Sequence, residues 1–184
     1  MNKLDRLLKS YTQHIEVPWR ADVAPAQRVI FCVYDETDEL NFRAKVEEFE
    51  LATSQKGFNW ACFDLTTIFS DWMSSEDYAE SYFAEPGLLQ DLLPDELLEF
   101  IECRFDEWAE KIQLDDNTVV ALMGVGTLFG FAKVKDCVDR LASRVRGRLV
   151  VFFPGSYENN NYRLLDGYDG WNYLAVSITA DSSI

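Results

Sequence analysis

Near-continuous apolar runs recur along the chain, and each is set off by polar or glycine-containing segments. Five runs stand out: RVIFCVYD (28–35), NWACFDL (59–65), TVVALMGVG (118–126), RLVVFFPG (148–155) and WNYLAVSI (171–178). A strand covered on both faces does not alternate between apolar and polar residues as a half-exposed strand does. The runs therefore predict five strands of a mostly parallel sheet.

Apolar positions spaced three and four residues apart predict helices between these strands. They cover about residues 3–16, 36–52, 95–113 and 128–145, and the last of them ends at Gly147. Residues 66–87 read as one or two short helices or a lid-like insertion. The aromatic side chains there fit the core better than a docking patch, although both interpretations stay open: Phe69, Trp72, Tyr78, Tyr82 and Phe83.

The order β-α-β-α-α-β-α-β-β predicts an α/β fold, a three-layer sandwich with a mostly parallel central sheet of about five strands. Such a fold resembles the P-loop and Rossmann-like architectures. With 184 residues and 48% hydrophobic content, the chain is predicted to form one domain over 1–184. An N-terminal helix lies within 1–17, and 177–184 reads as a frayed polar tail.

The net charge of −15 argues against nucleic acid as a direct ligand, because phosphate binding needs clustered lysine and arginine. The charge is unevenly distributed. Residues 76–116 carry fourteen acids and two bases, whereas 133–148 carry six bases and two acids. Ordinary solvated helix faces explain this best. The alternative is a basic strip over 133–148 that contacts nucleic acid weakly, within an assembly.

The sequence predicts a cytoplasmic protein without a membrane segment. No apolar run approaches the roughly 20 residues that a spanning helix needs, and the N-terminus lacks an apolar secretory segment. The cysteines form no C-x-x-C pair, so neither zinc nor disulfides are expected. They are Cys32, Cys62, Cys103 and Cys137.

Acidic residues follow the first two strands, at the edge of the sheet where α/β proteins bind ligands. The segment after the first strand, YDETDE (34–39), has neither the glycines nor the lysine of a phosphate-binding loop. Asp35 and Asp64 could hold Mg²⁺ if their strands are adjacent, which would suit a hydrolase or nuclease. The alternative is that both carboxylates cap the following helices.

Two further patterns are weaker. Gly124-Val125-Gly126-Thr127 opens a helix, but Gly130 comes one residue late for the dinucleotide-binding fingerprint, so a tight turn explains it better. His14 is the only histidine and lies in the first helix, so a serine or cysteine nucleophile lacks a base. We therefore predict no catalytic residues, no resident metal and no cofactor.

The segment PGSYENNNYRLLDGYDGWNY (154–173) is too polar for a core and too aromatic for an ordinary loop. Tyrosine, tryptophan and arginine are enriched at binding hot spots. Asparagine accepts positive φ and satisfies backbone groups in turns. A partner-binding surface and a self-stabilising turn are both open. The candidate partner-binding residues are Tyr157, Asn159, Asn160, Asn161, Tyr162, Arg163 and Trp171.

MGVGTLFGFAKVKD, followed by RLVVFFPGSYENNNYRLLDGYDGWNYLAV, resembles the BrxB family of bacterial BREX phage-defence systems. The similarity is strongest over about 118–178, where a strand ending in F-P-G leads to Y-x-x-N-x-Y-R-L. The resemblance implies a small α/β domain that serves as a cytoplasmic defence component with no assigned catalytic chemistry. It also implies other BREX proteins as partners, foremost the PglZ-type, alkaline-phosphatase-like member. It does not identify the residues that contact them.

Overall fold

A computed structural model describes residues 1–171 and 174–182, with Trp171 described by its backbone alone. The strands are β1 (Val29–Tyr34), β2 (Asn59–Asp64), β3 (Thr118–Met123), β4 (Arg148–Glu158), β5 (Asn161–Leu164), β6 (Gly167–Trp171) and β7 (Val176–Ile178). The helices are α1 (Lys3–Ile15), α2 (Glu39–Gln55), α3 (Ile68–Ser75), α4 (Ala79–Ala84), α5 (Asp95–Ile112) and α6 (Val134–Ala142). Short 3₁₀ turns occupy Pro25–Arg28, Glu36–Asp38, Pro86–Asp91 and Val125–Leu128.

The central sheet has the strand order β2-β3-β4-β1-β7, and all of these pairs are parallel. β1, β3 and residues 149–154 of β4 are buried throughout, as their unbroken apolar runs predicted. Helices cover both faces of the sheet. The predicted α/β sandwich with a mostly parallel sheet is confirmed.

Two apolar cores lie on opposite faces of this sheet. One packs α1 and α2 on the sheet through residues such as Tyr11, Phe42 and Phe49. Tyr11 hydroxyl and Thr53 hydroxyl share a hydrogen bond of 2.5 Å inside it. The other core packs α3, α5 and α6 on the opposite face through side chains such as Trp72 and Phe105. Both cores contain several aromatic side chains, and their packing fixes the helices on the sheet.

Two helical predictions need correction. The helix expected over 128–145 is confined to α6, because Gly130 has a φ of +80° and a non-helical loop separates α6 from the turn Val125–Leu128. The aromatic residues of 66–87 also divide between the two interpretations. Trp72 is 2% exposed and belongs to the core, whereas Tyr78 and Phe83 are 68% and 73% exposed.

The C-terminal strand predictions are only partly right. β4 does not stop at Gly155 but continues to Glu158 and then pairs with β5 in antiparallel fashion. The single strand predicted over 171–178 is wrong, because Leu174 and Ala175 form a bend before the three-residue β7. Asn172 and Tyr173 lie outside the described residues.

Residues 177–182, expected to belong to a frayed tail, are held against the fold. Ile178 is buried in β7, beside Cys32 of β1. Arg6 Nε of α1 donates to the carbonyl oxygen of Ala180 at 3.2 Å, and Ser10 donates to that of Ser182 at 3.4 Å. Within the described residues, no helix has the length and apolar character needed to cross a bilayer.

Candidate functional site

The segment singled out in the sequence forms a three-stranded antiparallel meander, residues 155–171. The second half of β4 pairs with β5, and β5 pairs with β6. The first half of β4 lies inside the parallel sheet, between β3 and β1. One continuous strand therefore joins the meander to the centre of the domain.

The inner face of the meander is part of the core. Tyr162 is 1% exposed, and its ring centroid lies 4.8 Å from that of Phe31 and 5.6 Å from that of Phe153. Its hydroxyl forms a hydrogen bond with the hydroxyl of Ser177. Burial raises the pKa of Tyr162 to about 12. The burial of Tyr162 supports the self-stabilising alternative for this residue.

The asparagines form the tight turn between β4 and β5. Asn159 and Asn160 have φ values of +51° and +63°. Positive φ at both central residues defines the two-residue turn that matches the twist of a hairpin. Tyr157 hydroxyl donates to Asn160 Oδ1 at 2.9 Å, and Asn161 Nδ2 donates to the carbonyl oxygen of Asn159 at 3.1 Å. The turn is thus stabilised by its own side chains.

The outer face of the meander carries the exposed groups. Arg163 lies between Ser156 and Tyr168 on the neighbouring strands, and its guanidinium donates to the carbonyl oxygen of Asp166. Tyr168 is 56% exposed, with Lys133 Nζ 5.6 Å from its ring centroid. We call Lys133, Arg163 and Tyr168 the outer patch. The side chain of Trp171 lies outside the described residues.

Beside the outer patch, an open cleft of about 700 Å³ separates the meander from the loop before α6. Phe129, Lys133 and Tyr168 are among its lining residues. Phe129 is 44% exposed, and its ring would lie 2.7 Å from a Cβ at Gly167. Because glycine there lets the ring pack against the strand, the cleft has a defined aromatic wall next to Lys133 and Lys135.

Sequence reasoning missed Asp169, which fixes the meander on α6. This carboxylate is 3% exposed and accepts the backbone N–H of Val134 at 2.8 Å and of Lys135 at 3.1 Å. It satisfies amide groups that the helix itself leaves unpaired at its start. The sequence carried only an indirect signal. Lysine is not a capping residue, and the side chain of Lys133, which precedes the helix, makes no cap hydrogen bond, so the first amides of α6 need an acceptor from elsewhere.

The candidate metal pair does not lie on adjacent strands. β3 and β4 separate β1 from β2, which places Asp35 and Asp64 about 14 Å apart at normal strand spacing. Each carboxylate instead binds its own loop: Asp35 accepts the amide of Thr37 at 3.1 Å, and Asp64 accepts that of Thr66 at 2.9 Å. Among the described residues there is no group of three His, Cys, Asp or Glu side chains suited to a metal.

Asp35 accepts hydrogen bonds from the hydroxyl and the amide of Thr37, and these bonds hold the pKa of Asp35 below its ordinary value. Lys3 contributes further to this lowering. At the other carboxylate, Arg43 Nη1 lies 3.7 Å from Asp64, while its Nε lies 2.6 Å from Glu39. These bonds satisfy the carboxylates within the protein. Asp35 caps the 3₁₀ turn Glu36–Asp38, in agreement with the capping alternative, whereas Asp64 binds the turn before α3, whose N-cap is Thr67.

The glycine turn after β3 also has a structural explanation. Gly124 has a φ of +71°, and a Cβ there would lie 2.5 Å from the amide nitrogen of Thr66 and 2.6 Å from Asp64 Oδ1. The loops after β2 and β3 can pack this closely only with glycine at the contact. This supports the tight turn that the sequence favoured.

The acidic and basic regions of the sequence pair with each other. Arg140 of α6 contacts Asp95 at 3.1 Å and Glu102 at 2.8 Å, both on α5. Arg144 contacts Glu102 at 3.1 Å and Asp106 at 2.7 Å. Two of the six bases in the strip 133–148 are therefore engaged between helices. This weakens the case for a nucleic-acid surface there.

Comparison with known proteins places the meander inside a recognised family region. The family model described as BREX protein BrxB matches residues 61–178, which is more than half of the chain and runs from β2 to β7. No curated protein and no solved structure matches this chain.

Proposed function

Since the chain belongs to the BrxB family, we propose that it is a non-catalytic interaction module that helps to assemble a BREX phage-defence complex. The single observation that carries the proposal is the outer patch of the meander. The family match covers this segment completely, and the patch presents an arginine and a tyrosine on a well-anchored antiparallel support, with a lysine beside them at the start of α6.

The anchoring makes the patch suitable for binding. Asp169 and Tyr162 hold the inner side of the meander on α6 and on the central sheet. A partner therefore meets a surface that is already ordered, which lowers the entropic cost of association. Arginine and tyrosine are also the side chains that most often dominate binding energy.

The proposed partner is the PglZ-type, alkaline-phosphatase-like protein of the same system. A carboxylate-rich surface on that partner would suit Arg163 and Lys133, because guanidinium and ammonium groups both pair with carboxylates. We propose contact with nucleic acid only through the assembled complex, since the chain carries a net charge of −15. The proposed location is the cytoplasm.

A non-catalytic role is supported by the strand-end carboxylates. Asp35 and Asp64 accept hydrogen bonds from their own loops and lie on strands that are not neighbours. Neither is positioned to act with the other on a substrate. In this proposal they stabilise the loops at the carboxyl edge of the sheet.

Co-purification tests the proposal. The full chain, tagged, is expressed with a PglZ-type protein of a BREX system, and the complex is isolated by affinity and size-exclusion chromatography. We expect a stable complex that Arg163→Ala or Tyr168→Ala weakens at least about tenfold, the loss of roughly 1.4 kcal/mol typical of an interface hot spot. Trp171→Ala is included because its backbone ends the same meander.

Arg20→Ala is the matched control, because Arg20 is an exposed arginine on the connector before β1 and its one salt bridge among the described residues is with the nearby Asp22. Failure of two folded proteins to associate would remove the proposed assembly role. Association that none of the three meander variants changes would retain that role but exclude the outer patch as the interface.

A further inference from the structure

The strand β2 forms one edge of the central sheet. Among the described residues, β2 pairs only with β3. The other edge strand, β7, has three residues, whereas β2 has six in unbroken register, from Asn59 beside Thr118 to Asp64 beside Met123. The longer edge offers a template on which a further strand can pair.

The backbone geometry identifies the groups that face outward. Asn59 donates its N–H to the carbonyl oxygen of Asn117 at 3.0 Å, and Leu65 donates to that of Met123 at 2.8 Å. Both residues thus point their amides toward β3. Because successive residues of a strand alternate in direction, the amides of Trp60, Cys62 and Asp64 point away from β3.

This edge lacks several of the usual protections against strand pairing, and its one charged side chain, Asp64, stands at the end of the strand. Natural edge strands are blunted by lysine, proline, a bulge or great shortness. The sequence Asn-Trp-Ala-Cys-Phe-Asp contains neither lysine nor proline, and its pairing with β3 has no register shift. A regular edge of this kind is the feature that peptide-binding sheets use.

A groove lies beside the edge on the face of the sheet that α5 covers. It has a volume of about 320 Å³, and its lining combines Trp108 and Ile112 with the polar residues Asn59, Gln113 and Asp115. Ile112 is 41% exposed there, and Trp108 is half-buried. These side chains can receive alternate apolar residues of an added strand.

The charges at this edge are mostly negative, with Arg43 as a cation 3.7 Å from Asp64. Asp64 ends the strand, Asp115 accepts a hydrogen bond from Asn59 at its start, and Asp64 and Glu50 lie close enough to Cys62 to act on its thiol electrostatically. A second copy of this chain, paired antiparallel, would bring the carboxylates at the two ends of β2 together. Repulsion between these like charges opposes such a dimer.

We propose that the exposed edge of β2 binds an extended segment of a partner protein, rich in basic and apolar residues, as an additional strand of the sheet. Main-chain hydrogen bonds to the outward amides supply affinity, and the groove beside α5 together with the carboxylates selects the sequence. This surface is separate from the outer patch, so the inference does not depend on the interface proposed above.

Amide hydrogen exchange of the full chain tests the inference. The probe is a nine-residue peptide of alternating lysine and valine, and a peptide of alternating glutamate and valine is its matched control. We expect the lysine peptide to slow exchange at Trp60, Cys62 and Asp64 about tenfold when its free concentration is about ten times its Kd. Asn59, Ala61 and Phe63, which already pair with β3, should not change. Cys62→Pro should abolish the effect, and Cys62→Ser should retain it.

Three results would overturn the inference. Protection by neither peptide would exclude strand addition at β2. Equal protection by both peptides would exclude selection of a basic segment. Protection that rises with protein concentration, without peptide, would assign the edge to a second copy of this chain. All three can be measured on the unmodified chain, so a Cys62→Pro variant that fails to fold does not remove the test.

Discussion

Asp169 of β6 accepts the backbone N–H of Val134, the first residue of α6, at 2.8 Å and so caps a helix that follows β3 in the chain. Asp169→Ala should lower the free energy of unfolding by about 2 kcal/mol, because it leaves buried amide groups unpaired. Urea denaturation measures this loss.

Asp169→Asn should lower the free energy of unfolding by less, since the amide oxygen of asparagine can still accept one of the two hydrogen bonds. Asp166→Ala is the control, because Asp166 is exposed on the turn between β5 and β6. Equal losses for Asp169→Ala and Asp166→Ala would show that the cap contributes nothing to stability.

Glu102 is the common acid of the ion pairs between α5 and α6, where it meets Arg140 and Arg144. Its side chain is 20% exposed. Glu102→Ala should lower the free energy of unfolding by about 1 kcal/mol, and the loss should shrink in 1 M NaCl as the charges are screened. Thermal and urea unfolding at low and high salt measure it.

Glu99→Ala provides the comparison, because Glu99 is exposed on the same helix and has no salt bridge among the described residues. A salt-independent loss at Glu102, no larger than that at Glu99, would contradict an electrostatic link between the helices.

Gly124 and Gly130 make a matched pair for backbone strain. Both have positive φ, +71° and +80°, but a Cβ would meet Thr66 and Asp64 only at Gly124. Gly130→Ala should cost about 1–2 kcal/mol for the left-handed conformation alone. Gly124→Ala should cost about 2–4 kcal/mol, because close contacts add to the same strain. Similar midpoints in urea for both variants would exclude the contact with the loop after β2.

The thiols should differ widely in reactivity. Burial, followed by the carboxylates of Asp64 and Glu50, raises the pKa of the Cys62 thiol to about 11. At pH 8 about one such thiol in a thousand is ionised. Because the thiolate is the reactive form, the rate of alkylation at Cys62 should rise with pH up to about 11. Mass spectrometry after iodoacetamide treatment follows each site.

Cys103 is exposed on α5, and Cys32 and Cys137 are buried, so the latter two should react only after unfolding. Glu50→Gln should raise the rate at Cys62 about twofold, a small effect because an exposed charge is screened by salt. A rate at Cys62 that is independent of pH between 7 and 10 would contradict the raised pKa.

The sequence predicted the central sheet well because its strands are buried on both faces. β1 and β3 read as unbroken apolar runs, and the structure places both in the middle of the sheet. The order of the strands could not be read in this way. Asp35 and Asp64 follow consecutive strands in the chain, yet two strands separate them in space. Periodicity describes local structure and carries no information about which strands pair.

The meander was harder to predict for a related reason. Its strands are short, glycine-rich and polar on one side, so they lack the apolar runs that marked the others. Tyr162 and Arg163 are neighbours in the sequence and were grouped as binding residues. The strand alternation places one in the core and the other at the surface. The amino-acid composition singled out the segment. Which of its side chains face the core and which face outward follows only from the pairing register of its strands.

β4 is a member of two sheets at once, parallel in its first half and antiparallel in its second. A strand shared in this way cannot release one half without disturbing the other. The meander should consequently move together with the central strand β4 and not swing about a hinge. A protein that binds the outer face of the meander would therefore restrain the central sheet as well. Such binding should raise the thermal unfolding temperature of the whole domain.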